Sequence, residues 1–540
     1  MKHLKWILAL TLFLQTQIGF SADFSFESIP VQEAGRVKPL VTVAQESLQL
    51  IYGKSKYDGK PALQIFTTWM LVPEPWMAKE IIKIDHLGLK KALNYPTEKK
   101  YFTPDEVGTH PRLNVLFSDL QVRTDRKEKL NAYYQAIQRL QGQLLTFYGI
   151  TQGGIKLFPP AQDEESTNWQ ALREMDPKDS ETFFKILAAY SATFIGSDKG
   201  PGISLEQAVK DFTASAQAKG GSKYPPVSEM ATEVHYQKLK PFFWTWILYL
   251  LSALLFAFSF LILPNVLIKI GGALFGAAFI LHTYGFILRC IITGRPPVSN
   301  MYETVVWVGW GVVLLTIIFS LLRKKVWIVL TGALVAFLCM ITADFAPVIL
   351  DGTLQPLEPV LRSNLWLTIH VMTITFSYAA FFLAFGVGDY GVFLYIKDAK
   401  GNKAKIRELA QVAYRLIQIG VVLLTAGTIL GGVWADYSWG RFWGWDPKET
   451  WAFIALMGYL AMLHARLVGW VKDFGMLAGS IVAFSLVIMA WYGVNFVLGA
   501  GLHSYGFGAG GIEYVSGFVG LHMIYVAYAF LVERGTLKKA

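Results

Sequence analysis

The chain has 540 residues, 53% of them hydrophobic and only 16% charged. Soluble domains run at about a quarter charged, so much of this chain must have lipid as its solvent. Its net charge of +10 does not argue for nucleic acid, because the cations cluster beside apolar segments, where membrane topology accounts for them.

In chain order, Lys2, His3 and Lys5 precede a short apolar run from Trp6 to Phe13, and Phe20-Ser21-Ala22 follows. Residues 1–22 read as a signal peptide or N-terminal anchor, since the run is too short to span a bilayer. Residues 23–240 are mixed polar sequence and read as one extracytoplasmic domain, mostly helical. Helical periodicity covers Lys127–Tyr148 and Glu181–Phe194, and Ser222–Pro226 reads as linker. This domain's sequence does not disclose its function.

From residue 241 to 540 the chain changes solvent. Apolar segments at about 242–263, 266–288, 303–322, 326–345, 365–395, 412–434, 451–469, 475–498 and 514–533 are each long enough to cross roughly 30 Å of hydrocarbon. Lipid offers no hydrogen-bond partner, so these must be helices, and the fold class is a polytopic α-helical membrane protein with about nine spans. Arg323-Lys324-Lys325, the cluster Lys397–Arg407, Arg466 with Lys472, and Arg534 with Lys538-Lys539 share one side, which the positive-inside rule makes cytoplasmic. Lys238, Lys240, Arg289 and Arg295 fall on the other side as exceptions.

Two cysteines, Cys290 and Cys339, form no CxxC and no zinc spacing, so metal chemistry must rest on histidine or on a bound cofactor. The external loop 434–451 holds five Trp, a Tyr and a Phe in eighteen residues, interleaved with Gly, Arg, Asp and Lys. Flat rings with polar handles suit a planar amphiphile at the water–lipid boundary, and Arg441 or Lys448 could meet its carboxylates. The same residues would also suit an aromatic belt anchoring a helix end.

The run WGRFWGWDPKETW resembles the tryptophan-rich "WWD" signature of the haem-handling superfamily of cytochrome c biogenesis. The spans from about 242 to 533 resemble the CcsA component of the System II cytochrome c synthase. Gly294–Glu303 (GRPPVSNMYE) is similar to that family's stretch after an early span. Gln32–Leu40 resembles a stretch found before the membrane core in related chains, with Val41 in place of the usual Asp.

Nine histidines are present, and an ionisable group at membrane depth is costly enough to be a functional candidate. His370 and His503 are expected on the tryptophan-loop side, where two imidazoles could ligate haem iron axially, and the family flanks its loop with two such histidines. The resemblance further implies haem contacts at Trp439, Arg441, Trp443, Trp445 and Asp446. It implies that His464, near the opposite end of the seventh span, first receives haem b, the substrate. The partner ligand of His464 is left open among His282, His522 and another subunit, with a structural role favoured for His282 and His522. The implied activity is haem delivery and covalent attachment to apocytochrome c at CxxCH, on the outer face of a bacterial inner membrane, together with a ResB-like membrane subunit. The alternatives are a System I haem chaperone or lyase, and a haem-free membrane scaffold or transporter.

Overall fold

The computed structural model describes residues 25–126, 128, 130–195, 202–346, 350–357, 363–498 and 511–534. Residues 1–22, expected to be a signal peptide or N-terminal anchor, and His503 lie outside the described residues. The chain divides into two compact units, Met1–Leu239 and Lys240–Ala540.

The N-terminal unit is mostly helical, as its sequence suggests, with short strands added. Helices Leu40–Tyr52, Ala62–Leu71, Leu113–Asp125, Ala132–Thr151, Pro177–Ile195 and Leu205–Gly220 surround a core that includes Phe66, Trp69, Phe147, Phe158, Phe183 and Phe212, all fully buried. A four-stranded antiparallel sheet accompanies them, in the order Arg36–Pro39, Pro30–Glu33, Lys156–Phe158, Gln170–Ala171. Among the described residues no strand exceeds four residues, too short for period-two alternation to show in the sequence. The helix read from Lys127 starts at Ala132, because the Asn131 side chain accepts from the amides of Tyr133 and Tyr134, both at 3.1 Å. The Ser222–Pro226 stretch is not a loose linker. Tyr224 is buried and stacks on Trp169 at 5.9 Å, and Lys223 Nζ donates to the Ala161 carbonyl at 2.7 Å.

Gln32–Leu40, the stretch similar to related chains, centres on a tight hairpin. Ala34 and Gly35 both have positive φ (49° and 82°), as a two-residue turn with strand-matching twist requires. The Arg36 guanidinium then grips Glu233 with both nitrogens, at 2.8 and 2.6 Å. Lys38 pairs with Glu33 at 2.8 Å and also with Glu46. Burial pulls the Lys38 ammonium down, but the carboxylates of Glu46 and Glu33 more than offset it and hold it above the ordinary lysine range.

Among the described residues nine helices are long and apolar enough to cross a membrane. In the second unit they are Pro241–Phe258, Pro264–Thr293, Met301–Arg323, Val326–Phe345, Met372–Asp398, Lys403–Trp439, Pro447–Leu467, Asp473–Ile488 and Ile512–Glu533, the first to ninth spans. The sixth begins nine residues before the apolar run, at Lys403. Hydropathy marks where lipid begins, whereas Lys, Arg, Ala and Glu continue a helix readily. The loop expected over 434–451 is correspondingly short: Trp434–Trp439 end the sixth span, and Pro447–Trp451 begin the seventh. Two stretches are wound as π-helix, Leu367–Val371 ahead of the fifth span and Met489–Leu498 at the end of the eighth. Such segments are rare and concentrate at functional sites.

Close helix contact follows small residues. A Cβ at Gly427 on the sixth span would lie 2.8 Å from Ile374 Cα, so the fifth and sixth backbones approach there as only glycine permits. Two cations that broke the positive-inside pattern are engaged by the protein itself. Arg289 pairs with Glu303 at 2.6 Å, both 1% exposed, and donates to the Gly352 carbonyl at 3.0 Å. Arg295 donates to the Gln355 carbonyl at 2.6 Å. Glu303 also accepts from the amide and hydroxyl of Ser299, at 2.8 and 2.7 Å, which pins the Gly294–Glu303 stretch to the second and third spans.

Candidate functional site

The tryptophan loop is built by two helix ends. Gly440, at φ 69°, stops the sixth span in a left-handed cap and donates its amide to the Asp436 carbonyl at 2.8 Å. Asp446 starts the seventh: its carboxylate accepts from the amides of Lys448 (2.9 Å) and Glu449 (3.0 Å), with Pro447 at the first helical position. Glu449 reaches back to accept from Gly444 N at 2.7 Å and Asp446 N at 3.3 Å. The Asp446 carboxylate is therefore committed to holding the loop.

Between these caps the backbone is tightly constrained. Trp445 has φ 57°, a left-handed conformation costing on the order of 1–3 kcal/mol for a bulky residue, and its side chain is 68% exposed. Its ring meets Trp443 edge-on at 5.8 Å, and both rings face Phe453. The Arg441 guanidinium lies across Gly444 so closely that a Cβ there would sit 0.8 Å from Nη1. Trp439 is the last helical residue before the turn.

His370 lies in the Leu367–Val371 π-turn and is carried to this end of the bundle. Its Nδ1–H donates to the Gly427 carbonyl at 2.8 Å, which places the lone pair on Nε2, the tautomer an iron ligand needs. Gly431, one turn along the sixth span, makes room for the ring: a Cβ there would come within 2.6 Å of Cε1. Trp434 meets the imidazole edge-on at 5.7 Å and stacks on Trp366 at 6.3 Å, with the planes 8° apart. Phe442, from the loop, closes on Gly432 next door. His370 thus packs on Trp434 at the end of the sixth span, and Phe442 of the loop packs on the adjacent Gly432. Sequence reasoning missed Trp366 and the glycines, although Gly427 and Gly431 at i, i+4 spacing within an apolar span were a visible sign of a close packing face.

His503 lies outside the described residues. It follows Leu498 by five residues, a tether of at most about 18 Å. The chain leaves the eighth span at the loop's end of the bundle, since Asn495 contacts Lys448 at 3.4 Å. His464 is at the other end of the seventh span, exposed, with Nδ1–H donating to the Leu460 carbonyl at 2.7 Å. Arg466 beside it pairs with Asp473 at the turn into the eighth span.

His282 and His522 each have both ring nitrogens engaged by the protein. His282 is fully buried, with Nε2–H donating to the Val306 carbonyl at 3.1 Å and Nδ1 3.3 Å from the Tyr249 hydroxyl. His522 donates from Nδ1 to the Phe518 carbonyl at 2.7 Å and turns Nε2 to Asp389 at 3.4 Å. Among the described residues no cluster of three or more His, Cys, Asp or Glu side chains could hold a bare metal ion. The donor set at the loop instead suits a planar ligand that brings its own iron: one oriented imidazole, wide aromatic faces and cations at the rim.

Residues 298–503 match the family described as Cytochrome C assembly protein. The cytochrome c biogenesis protein CcsA of Prochlorococcus marinus is 36% identical over 263 residues, 42% of this chain and 81% of the relative. Its counterpart in Chlamydomonas reinhardtii is 34% identical over 252 residues, covering 44% of this chain and 69% of the relative. Protein NrfI of Wolinella succinogenes is 29% identical over 510 residues. That match takes in 89% of this chain, so both units contribute, while the chain spans about half of NrfI (54%).

Proposed function

The chain belongs to the CcsA family of cytochrome c biogenesis proteins and serves cytochrome c maturation; from that premise we propose that it delivers haem b and attaches it to apocytochrome c. The tautomer of His370 and its packing on Trp434, next to the tryptophan loop, support this reading. Haem is accepted at His464 and held at the loop between His370 and His503. Its plane rests on Trp439, Trp443 and Trp445, with Arg441 at the rim and Asp446 holding the loop in shape. Each substrate thiol of CxxCH adds across a vinyl group, sulfur bonding to one carbon and hydrogen to the other. The chain needs no nucleophile of its own, because orientation supplies the rate. The substrate's histidine then displaces one imidazole and the product leaves. A ResB-like membrane subunit is the proposed partner and one source of a second ligand at His464.

Cells unable to mature c-type cytochromes should regain covalently bound haem when this chain and a ResB-like subunit are expressed together. Full membrane insertion of both without any covalent haem would refute the assignment.

The proposal requires the loop to lie on the periplasmic side of the bacterial inner membrane, where the basic clusters direct it. Ser438 and Ala404 are both exposed, on opposite sides of the sixth span. A cysteine at Ser438 should react with an impermeant thiol reagent in intact spheroplasts, and one at Ala404 only after lysis. The reverse pattern would invert the topology and remove the mechanism.

A further inference from the structure

Lys448 sits where a cation is hardest to explain by packing alone. It shares a helical face with Ala452, Ala455, Leu456 and Tyr459, the buried, bundle-facing stripe of the seventh span. It is also the second residue of that helix, where the helix dipole disfavours positive charge. An ordinary anchoring lysine would snorkel outward to water. This one turns inward, where the nearby Asp446 carboxylate offsets its charge only in part, and the hydrogen bond found for its Nζ goes to a neutral acceptor, Asn495 Oδ1 at 3.4 Å.

Asn495 is itself held for that task. It is 7% exposed and lies in the Met489–Leu498 π-helix, with Nδ2 donating to the Trp491 carbonyl at 3.1 Å and toward Met301 Sδ at 3.2 Å. Those two contacts fix the amide so that its oxygen faces Lys448. On the same π-turn, the Trp491 indole N–H is buried and has no acceptor among the described residues. The Lys448 ammonium keeps donors to spare beyond its hydrogen bond to Asn495, and an anionic acceptor would satisfy them.

The geometry points to Lys448, oriented by Asn495, as the binding residue for a carboxylate of the porphyrin held at the tryptophan loop. The inference rests on the haem-platform reading above and extends it to how the ring is turned in its plane. A propionate fixed at Lys448 sets which way the two vinyl edges face, and so which edge each substrate thiol meets. Asn495 is a positioning residue and touches no substrate.

The test uses the full-length chain purified in phospholipid-free detergent, titrated with iron protoporphyrin IX and with its dimethyl ester, which lacks the carboxylates. Wild type should bind both with a shifted Soret band and prefer the diacid. Lys448→Met should weaken the diacid about tenfold or more, the scale of a lost hydrogen bond to a charged group, and leave the ester unchanged. Asn495→Leu should reduce the same preference in part, and Lys448→Arg should keep it. Added phosphatidylglycerol should leave the wild-type preference intact. Competition by that lipid would reassign Lys448 to a headgroup phosphate. Equal loss of affinity for diacid and ester in both Lys448→Met and Asn495→Leu would mean the pair only supports the fold, and would overturn the assignment while leaving the platform standing. Absence of saturable binding to either porphyrin in wild type would instead sink the platform itself.

Discussion

His370→Gly is expected to abolish covalent haem attachment, and added imidazole to restore part of it. The ring donates a hydrogen bond to the Gly427 carbonyl and sits over the bare backbone of Gly431. Its removal therefore leaves an imidazole-shaped space in which free imidazole can donate to the same carbonyl. Losing even an outer-shell partner of a metal ligand costs roughly 10–100-fold, and losing the ligand itself should exceed that. His503→Gly should behave alike if it supplies the opposite axial ligand. His522→Gly is the control: its two nitrogens are spent on Phe518 and Asp389, so imidazole should give no spectral recovery. A complementary change is Gly431→Leu, which pushes the imidazole aside and should shift the haem spectrum without removing any donor. Normal attachment and an unchanged reduced spectrum in His370→Gly would eliminate it as a ligand.

The largest effect on stability is expected at Arg289. Both members of its pair with Glu303 are 1% exposed, so Arg289→Met strands a buried carboxylate and frees the Gly352 carbonyl. Breaking a buried pair from one side costs about 3–5 kcal/mol, and here the carboxylate would keep only its hydrogen bonds from Ser299 to offset its charge. Thermal unfolding of the detergent-solubilised protein should show that loss, and protease should cut the Gly294–Glu303 stretch faster. Arg289→Met combined with Glu303→Met should regain more than half, since an apolar pair needs no desolvation. A single variant as stable as wild type would mean that water or a rearranged side chain satisfies Glu303.

The sequence by itself determined which segments of residues 241–540 form helices long and apolar enough to cross a membrane, and where its tryptophans concentrate. Lipid forces each apolar run to satisfy its own backbone, so span and helix coincide locally, and a tryptophan-dense loop between two spans needs no distant residue to be noticed. It also set His370 and His464 at opposite ends of the bundle, because depth along a helix is a matter of counting. The tertiary structure alone decided what those residues can do. Whether Asp446 meets a ligand or caps a helix depends on the amides of Lys448 and Glu449. The tautomer of His370 depends on a carbonyl 57 residues away. The engagement of His282 depends on Val306 and Tyr249, and that of His522 on Asp389. The short sheet of the N-terminal unit, the two π-segments and the Lys448–Asn495 contact were hidden for the same reason. Periodicity reports the solvent a residue prefers, whereas a hydrogen bond is fixed only when two distant segments have packed.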